Sequence, residues 1–186
     1  MIGKWMPLAL VGVIVLGELT SMKKRDPAER RDRGSYDFFR GTLTAAYLAA
    51  FGLWGRRALP EALALGPWSA WGGAVLCVSG TAFRVWSMRT LGGYFTRVIH
   101  VAPDQKVIDE GPYRLLRHPS YTGAGLAALG VALSMGNLVT LLLIGGVFAA
   151  GVSYRIRVEE RALAETIGAP YLEYMKRTRR LIPYVF

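Results

Sequence analysis

Apolar residues in this chain come in blocks, and arginine-rich blocks separate them. That alternation constrains the fold more than any other feature, because it is how a chain that crosses a membrane several times is written. Met6 to Leu19 is apolar apart from Glu18. Extended from Ile2 to Thr20, it reaches the roughly 20 residues of a span, with Lys4 and Glu18 stretching toward the headgroups and Trp5 as an interfacial anchor. Further apolar runs cover Gly41–Trp54, Trp68 to about Met88, Tyr121–Met135 and Leu138–Tyr154. The chain therefore reads as all-α, a polytopic membrane protein with about five transmembrane helices.

Ser134-Met135-Gly136-Asn137 has turn chemistry, so the last two runs are expected to form a tight antiparallel hairpin. Gly123, Gly125 and Gly130 on one arm, and Gly145, Gly146 and Gly151 on the other, would let those two helices approach closely in lipid.

Charge sets the expected orientation. The 186 residues carry 23 Lys and Arg against 13 Asp and Glu. With the Ser21–Arg40 loop on the cytoplasmic side, Lys4, Arg56 and Arg57 are the basic residues left outside. This positive-inside solution puts the N-terminus out and the C-terminus in. A small, arginine-rich chain of this kind is expected in a bacterial inner membrane, with its polar site facing the cytoplasm. The net charge of +10 and pI near 10.1 belong to loops facing anionic lipid. No basic stripe with interleaved aromatics marks a nucleic-acid surface. Cys77 is the single cysteine, and His100 and His118 are the two histidines. That inventory excludes an internal disulfide and argues against a metal site. No small-residue cleavage site follows the first apolar run, so it is expected to be retained as a helix.

The chain divides by composition at about residue 89. Residues 1–89 hold the first three helices and the basic loop; residues 90–186 hold a polar loop, the hairpin and C-terminal helices. Arg84, in the last turn of the third run, could snorkel to the interface or face the pocket, as intramembrane charges usually do for function; its place so near the helix end favours snorkelling. Gly168-Ala169-Pro170 ends the charged helix that follows the hairpin, and Pro170 can start another. Tyr171, Tyr174, Met175 and Thr178 recur there at helical spacing.

Two polar patches carry the candidate chemistry. In Arg117-His118-Pro119-Ser120-Tyr121, Pro119 keeps His118 out of helical geometry and suits the first turn of a helix. His118 then stands at a helix start with free N–H groups, which could receive a ligand carboxylate; Tyr113 and Tyr121 could face the same ligand. Arg117 and His118 could equally be interfacial anchors. The second patch is Arg155, Glu159 and Glu160. The hairpin returns it beside His118, where arginine offers a fork for a carboxylate and glutamate an acceptor. Arg155 and Glu159 could equally be a plain i,i+4 ion pair.

Arg-His-Pro-x-Tyr after Gly-x-Tyr, then Arg-x-x-x-Glu-Glu, then Tyr171-x-x-Tyr174-x-x-x-Thr178-x-Arg180-x-x-Pro183 resembles the isoprenylcysteine carboxyl methyltransferases and the related phospholipid methyltransferases. The resemblance covers roughly Gly92 to Pro183. It implies an integral-membrane methyltransferase that uses S-adenosylmethionine without a soluble Rossmann domain; no GxGxxG follows a strand here. It implies cofactor contacts from Gln105, Lys106, Val107 and Ile108, from Tyr113, and from His118, Pro119, Ser120 and Tyr121, with Glu159 or Glu160 closing over the cofactor. It implies that Arg155 holds the carboxylate of a lipophilic acceptor entering from the bilayer, so that Arg155, Glu159 and Glu160 form the catalytic set. Such a carboxylate is already ionised at pH 7; an amine acceptor would need Glu159 or Glu160 as base.

Two other readings compete. The family shares its architecture with membrane reductases that use NADPH. A non-catalytic assembly factor or carrier is the other, although a carrier places charges at mid-membrane and here they gather at one face.

Overall fold

The computed structural model describes residues 5–21, 34–95 and 106–183. Gln105 and His100 lie outside them, as does most of the basic loop. The described residues form six α-helices: α1 (Met6–Ser21), α2 (Ser35–Gly55), α3 (Trp68–Leu91), α4 (Pro119–Ser134), α5 (Leu138–Ile167) and α6 (Ala169–Arg177). The described residues contain no extended strand, only two isolated bridges, Ala64 with Asn137 and Leu116 with Arg179. The fold is all-helical, as expected.

Neighbouring helices run in alternating directions. Glu18 near the end of α1 meets Arg84 near the end of α3; Arg84 also reaches Ser120 at the start of α4; Ser35 at the start of α2 meets Arg155 in α5. These ends gather the site at one pole of the bundle. At the other pole, Asn137 caps α5 by accepting from Val139 N–H at 2.9 Å and donates to the Pro60 carbonyl at 3.0 Å. Leu65 N–H adds a 2.7 Å bond to the Gly136 carbonyl, so the α2–α3 connection covers the α4–α5 turn.

The expected turn between the last two helices forms at Met135-Gly136-Asn137, with Gly136 at φ 73°. The glycine pairing differs from expectation. Gly123 and Gly130 face α3 rather than α5. A Cβ on Gly123 would lie 2.6 Å from Arg84 N, and one on Gly130 would fall on the Cys77 backbone. Their counterparts are Gly80, whose Cβ would stand 2.6 Å from Ala127 N, and Gly73, 2.5 Å from the Gly130 carbonyl. Glycines seven apart on both helices thus bring the α3 and α4 backbones together across residue 89. On the α5 side, Gly125 lies against Phe148, Gly145 against Leu129 and Gly151 against Phe39 of α2, while Gly146 has open space. Large side chains fill that interface, so α4–α5 is the wider pair.

Leu10, Cys77, Val131, Ile144, Val152 and Ile156 lie in the buried core between the helices. By length and composition Leu138–Ile167 is long and apolar enough to cross a membrane, and Met6–Leu19 is a shorter apolar helix. The first two turns of α5 beyond Tyr154 carry the charged patch, and Gly168, at φ 72°, ends α5 and leads into α6.

Candidate active site

The site begins with a hydroxyl shared between two charges. Tyr121, in the first turn of α4, accepts from Arg155 Nε at 2.7 Å and donates to Glu159 Oε2 at 2.9 Å. Arg155 and Glu159 are one helical turn apart on α5 and therefore share a face. They meet through Tyr121 rather than as a direct pair. Arg155 is only 4% exposed. Its Nη1 donates to Ser35 Oγ at 3.3 Å, and its guanidinium lies 5.2 Å from the Tyr36 ring centre and 6.0 Å from that of Tyr121. A buried arginine held by hydroxyls and ring faces is oriented before any ligand arrives.

Behind this layer stands a second one centred on Glu160. Its carboxylate accepts from Arg117 Nε at 2.9 Å and from Arg180 Nη2 at 2.8 Å. His118 Nε2 stands 3.4 Å from Glu160 Oε1, off hydrogen-bond geometry, and His118 Nδ1 lies 4.0 Å from Glu159 Oε1. Burial alone pushes the Glu160 carboxyl up, but the neighbouring His118, Arg180 and Arg117 outweigh it and hold the group well below the usual carboxylate range. The contact with Glu160 in turn pushes the Arg180 guanidinium up.

The backbone makes this second layer possible. Arg117 N–H donates to the Arg179 carbonyl at 2.7 Å, His118 N–H to the Arg180 carbonyl at 3.1 Å, and Arg179 N–H to the Leu115 carbonyl at 3.0 Å. Arg117 Nη1 also reaches the Thr178 and Met175 carbonyls, and Thr122 Oγ1 the Leu181 carbonyl. The segment after α6 is therefore strapped alongside residues 115–118. Tyr174 OH closes the corner by donating to the Tyr113 and Leu116 carbonyls. Burial, first, and then the Glu159 charge push the Tyr113 and Tyr171 phenols up; both remain protonated donors at neutral pH.

A cavity of about 780 Å³ opens over the first layer. Lys106, Val107, Ile108, Tyr113, His118, Ser120, Tyr121, Arg155 and Glu159 all line it, so the two distant patches do meet in one space. Pro119 and Glu160 do not line it. Pro119 is buried at the first position of α4, and Glu160, expected to close over a ligand, has its carboxylate turned to Arg117 and Arg180. The free N–H groups expected at the start of α4 are also partly used: Tyr121 and Thr122 N–H turn to the His118 carbonyl. Arg84 corrects another expectation. It lines the cavity, pairs with Glu18 and donates to the Ser120 carbonyl at 3.0 Å, because Glu18 offers it a nearer counter-charge than the interface does.

Several lining residues carried no expected role in the site: Glu18, Tyr36, Thr81, Arg117 and Tyr171. The hydroxyls of Thr81 and Tyr171 are buried without a partner among the described residues. Apolar side chains of α1, α2 and α5, including Val11, Ile14, Leu43, Phe51 and Phe148, extend the cavity away from this polar end.

Residues 73–165 match the sequence profile of the isoprenylcysteine carboxyl methyltransferase (ICMT) family. The chain belongs to that family. Protein-S-isoprenylcysteine O-methyltransferase B of Arabidopsis thaliana is 29% identical over 115 residues, which are 61% of this chain and 58% of that protein. Protein-S-isoprenylcysteine O-methyltransferase of Saccharomyces cerevisiae is 33% identical over 115 residues, 61% of this chain and 48% of that one. The chain thus spans 58% and 48% of the length of these two ICMT relatives. The solved structure of a eukaryotic intramembrane Ras methyltransferase, ICMT, matches with a TM-score of 0.67 at 22% identity, covering 76% of this chain and 52% of that one. That likeness shows a shared helical fold. Arg117, His118, Tyr121, Arg155 and Glu159 all fall inside the ICMT match; α1 and α2, which complete the cavity, fall outside it.

Proposed function

We propose that this protein is an integral-membrane methyltransferase that transfers a methyl group from S-adenosylmethionine to the carboxylate of a lipophilic, isoprenoid-like acceptor. The observation that carries this reading is the form of the cavity. It joins a charged, hydroxyl-rich end to an apolar limb between α1 and α2, which is what one polar cofactor and one greasy acceptor require of a shared site.

The residues fit the cofactor. A molecule with a sulfonium, a ribose and an amino-acid end needs acceptors, donors and aromatic faces. Glu159 supplies acceptors, the unpartnered Tyr171 hydroxyl a buried donor, and Tyr113 and Tyr121 ring faces suited to a sulfonium. S-adenosylmethionine, when bound, supplies a methyl group on positively charged sulfur. Arg155, already oriented by Tyr121, Ser35 and Tyr36, is placed to hold an acceptor carboxylate. An ionised carboxylate needs no base, so the protein's contribution is alignment and exclusion of water by the apolar limb and the strap. Tyr121 couples the two ends: it touches Arg155 and Glu159 at once.

The membrane arrangement follows the same reading. Leu8, Leu16, Phe38, Val75, Val78 and Leu142, none of which lines the cavity, are exposed on α1, α2, α3 and α5. Water penalises such a surface and lipid does not. Five helices, α1 to α5, cross in alternating directions, α5 with its apolar part, residues 138–154, only, so that the N-terminus is outside and Arg155 to Glu160 stand with the site at the cytoplasmic face of a bacterial inner membrane. At 16 residues, α1 and α4 are about 24 Å long, short of a hydrocarbon core about 30 Å thick.

Calorimetric titration of the purified protein tests the reading. S-adenosylmethionine is expected to bind in the micromolar range and NADPH not at all. Binding of NADPH alone would assign the cavity to a reductase instead.

A further inference from the structure

Glu18 sits on α1, a helix that the ICMT match at residues 73–165 does not include, yet its carboxylate pairs with Arg84 Nε inside the cavity. We infer that Glu18 is a positioning residue that fixes the Arg84 guanidinium against the first turn of α4. This rests on the methyltransferase reading of the cavity and adds to it a requirement for α1.

Two contacts define a guanidinium plane. Here Nε meets Glu18 on one helix and Nη1 meets the Ser120 carbonyl on another. The pair is 18% and 23% exposed, so water screens it less than a surface pair. Without Glu18, Arg84 keeps one contact and a long, flexible stem, and its head is free to leave the cavity for the interface. The helix spacing that permits the pair is also in place. Gly17 lies against α3, where a Cβ would stand 2.6 Å from Thr81 Cγ2 and 3.4 Å from Val85 Cγ2. A glycine at that turn lets α1 close on α3, and the next residue then reaches Arg84. Ser120 neighbours Tyr121, so the orientation of Arg84 bears on the geometry that Tyr121 gives to Arg155, the group placed to hold the acceptor carboxylate.

Glu18→Gln keeps the size of the side chain and removes its charge. The test measures the affinity of purified full-length protein in detergent for S-farnesylated N-acetylcysteine, the affinity for S-adenosylmethionine, and methyl transfer between them. Expected for Glu18→Gln is acceptor binding weakened about tenfold, the equivalent of about 1.4 kcal/mol, with cofactor affinity within twofold of the unchanged protein. Glu18→Asp should recover part of the loss, and Gly17→Val, which pushes α1 away, should reproduce it. In an Arg84→Gln background, Glu18→Gln should cost nothing further. A further loss in that background, or unchanged acceptor affinity in Glu18→Gln, overturns the assignment. If Glu18→Gln lowers only the thermal midpoint, the pair is merely structural and the assignment is likewise overturned. Should the unchanged protein bind the acceptor but transfer no methyl group, the proposed reaction fails, while the role of Glu18 is still decided by the acceptor affinities.

Discussion

Tyr121 and Arg155 are 34 residues apart in sequence and 2.7 Å apart in space, Nε to hydroxyl oxygen. The same hydroxyl passes its proton toward Glu159, so one atom fixes a cation and an anion on the wall of the cavity. Tyr121→Phe removes that atom and nothing else. A hydrogen bond to a charged group contributes about 1.5–3 kcal/mol, so kcat/KM should fall roughly tenfold to a hundredfold. Steady-state methyl transfer measures it; activity within twofold of the unchanged protein would show that the shared hydroxyl is incidental.

Glu160 is expected to act on stability before it acts on activity. Its carboxylate joins Arg117 and Arg180 across the strap. Glu160→Gln leaves two guanidinium groups facing a neutral amide. Arg180 is a third exposed, which tempers the loss, so the expected cost is on the order of 3 kcal/mol. Denaturant titration in detergent reads it, and an unchanged midpoint would contradict the strap.

The same carboxyl predicts a pH dependence. Its value in the folded protein lies below the ordinary 4.5. A group depressed on folding stabilises the fold above its unfolded value, and that stabilisation is lost as pH falls through the folded one. The thermal midpoint should be flat near neutrality and decline as pH drops below about 4.5. Glu160→Gln should flatten the decline. Equal acid sensitivity in both proteins would assign the effect to other groups.

The glycines give a comparison within one protein. Gly80→Ala places a methyl group 2.6 Å from Ala127 N and should destabilise by several kcal/mol, because two helix backbones have to separate. Gly146→Ala meets nothing within 4 Å and should be neutral or stabilising by up to about 1 kcal/mol. Similar midpoints for the two variants would contradict the close approach of α3 and α4.

These glycines also show what a sequence can and cannot convey. Small residues at helical spacing announced a close helix contact, and one exists. Spacing does not name the partner, and Gly73 and Gly80 lay unremarked inside the third apolar run. Helix positions were legible because apolar runs and turn residues are local signals; Asn137 and Gly168 stand where their chemistry places them. The union of His118 with Arg155 was legible because a short turn forces two helices back together. A pocket-facing Arg84 was one of two readings the sequence allowed; its partner Glu18 was not legible, since it lies 66 residues away on a helix whose contacts no local pattern reveals. The strap was hidden for the same reason: the pairing of Leu116 with Arg179 uses backbone atoms, which every residue has.

The central claim is that one cavity brings a methyl donor and a lipophilic carboxylate together. The most direct measurement uses purified protein in detergent, S-adenosylmethionine labelled in its methyl group, and S-farnesylated N-acetylcysteine. The account predicts saturable, base-labile label on the acceptor, lost in Arg155→Ala while that variant remains folded. A folded protein that binds the donor and yet methylates neither this acceptor nor any other lipophilic carboxylate would contradict it.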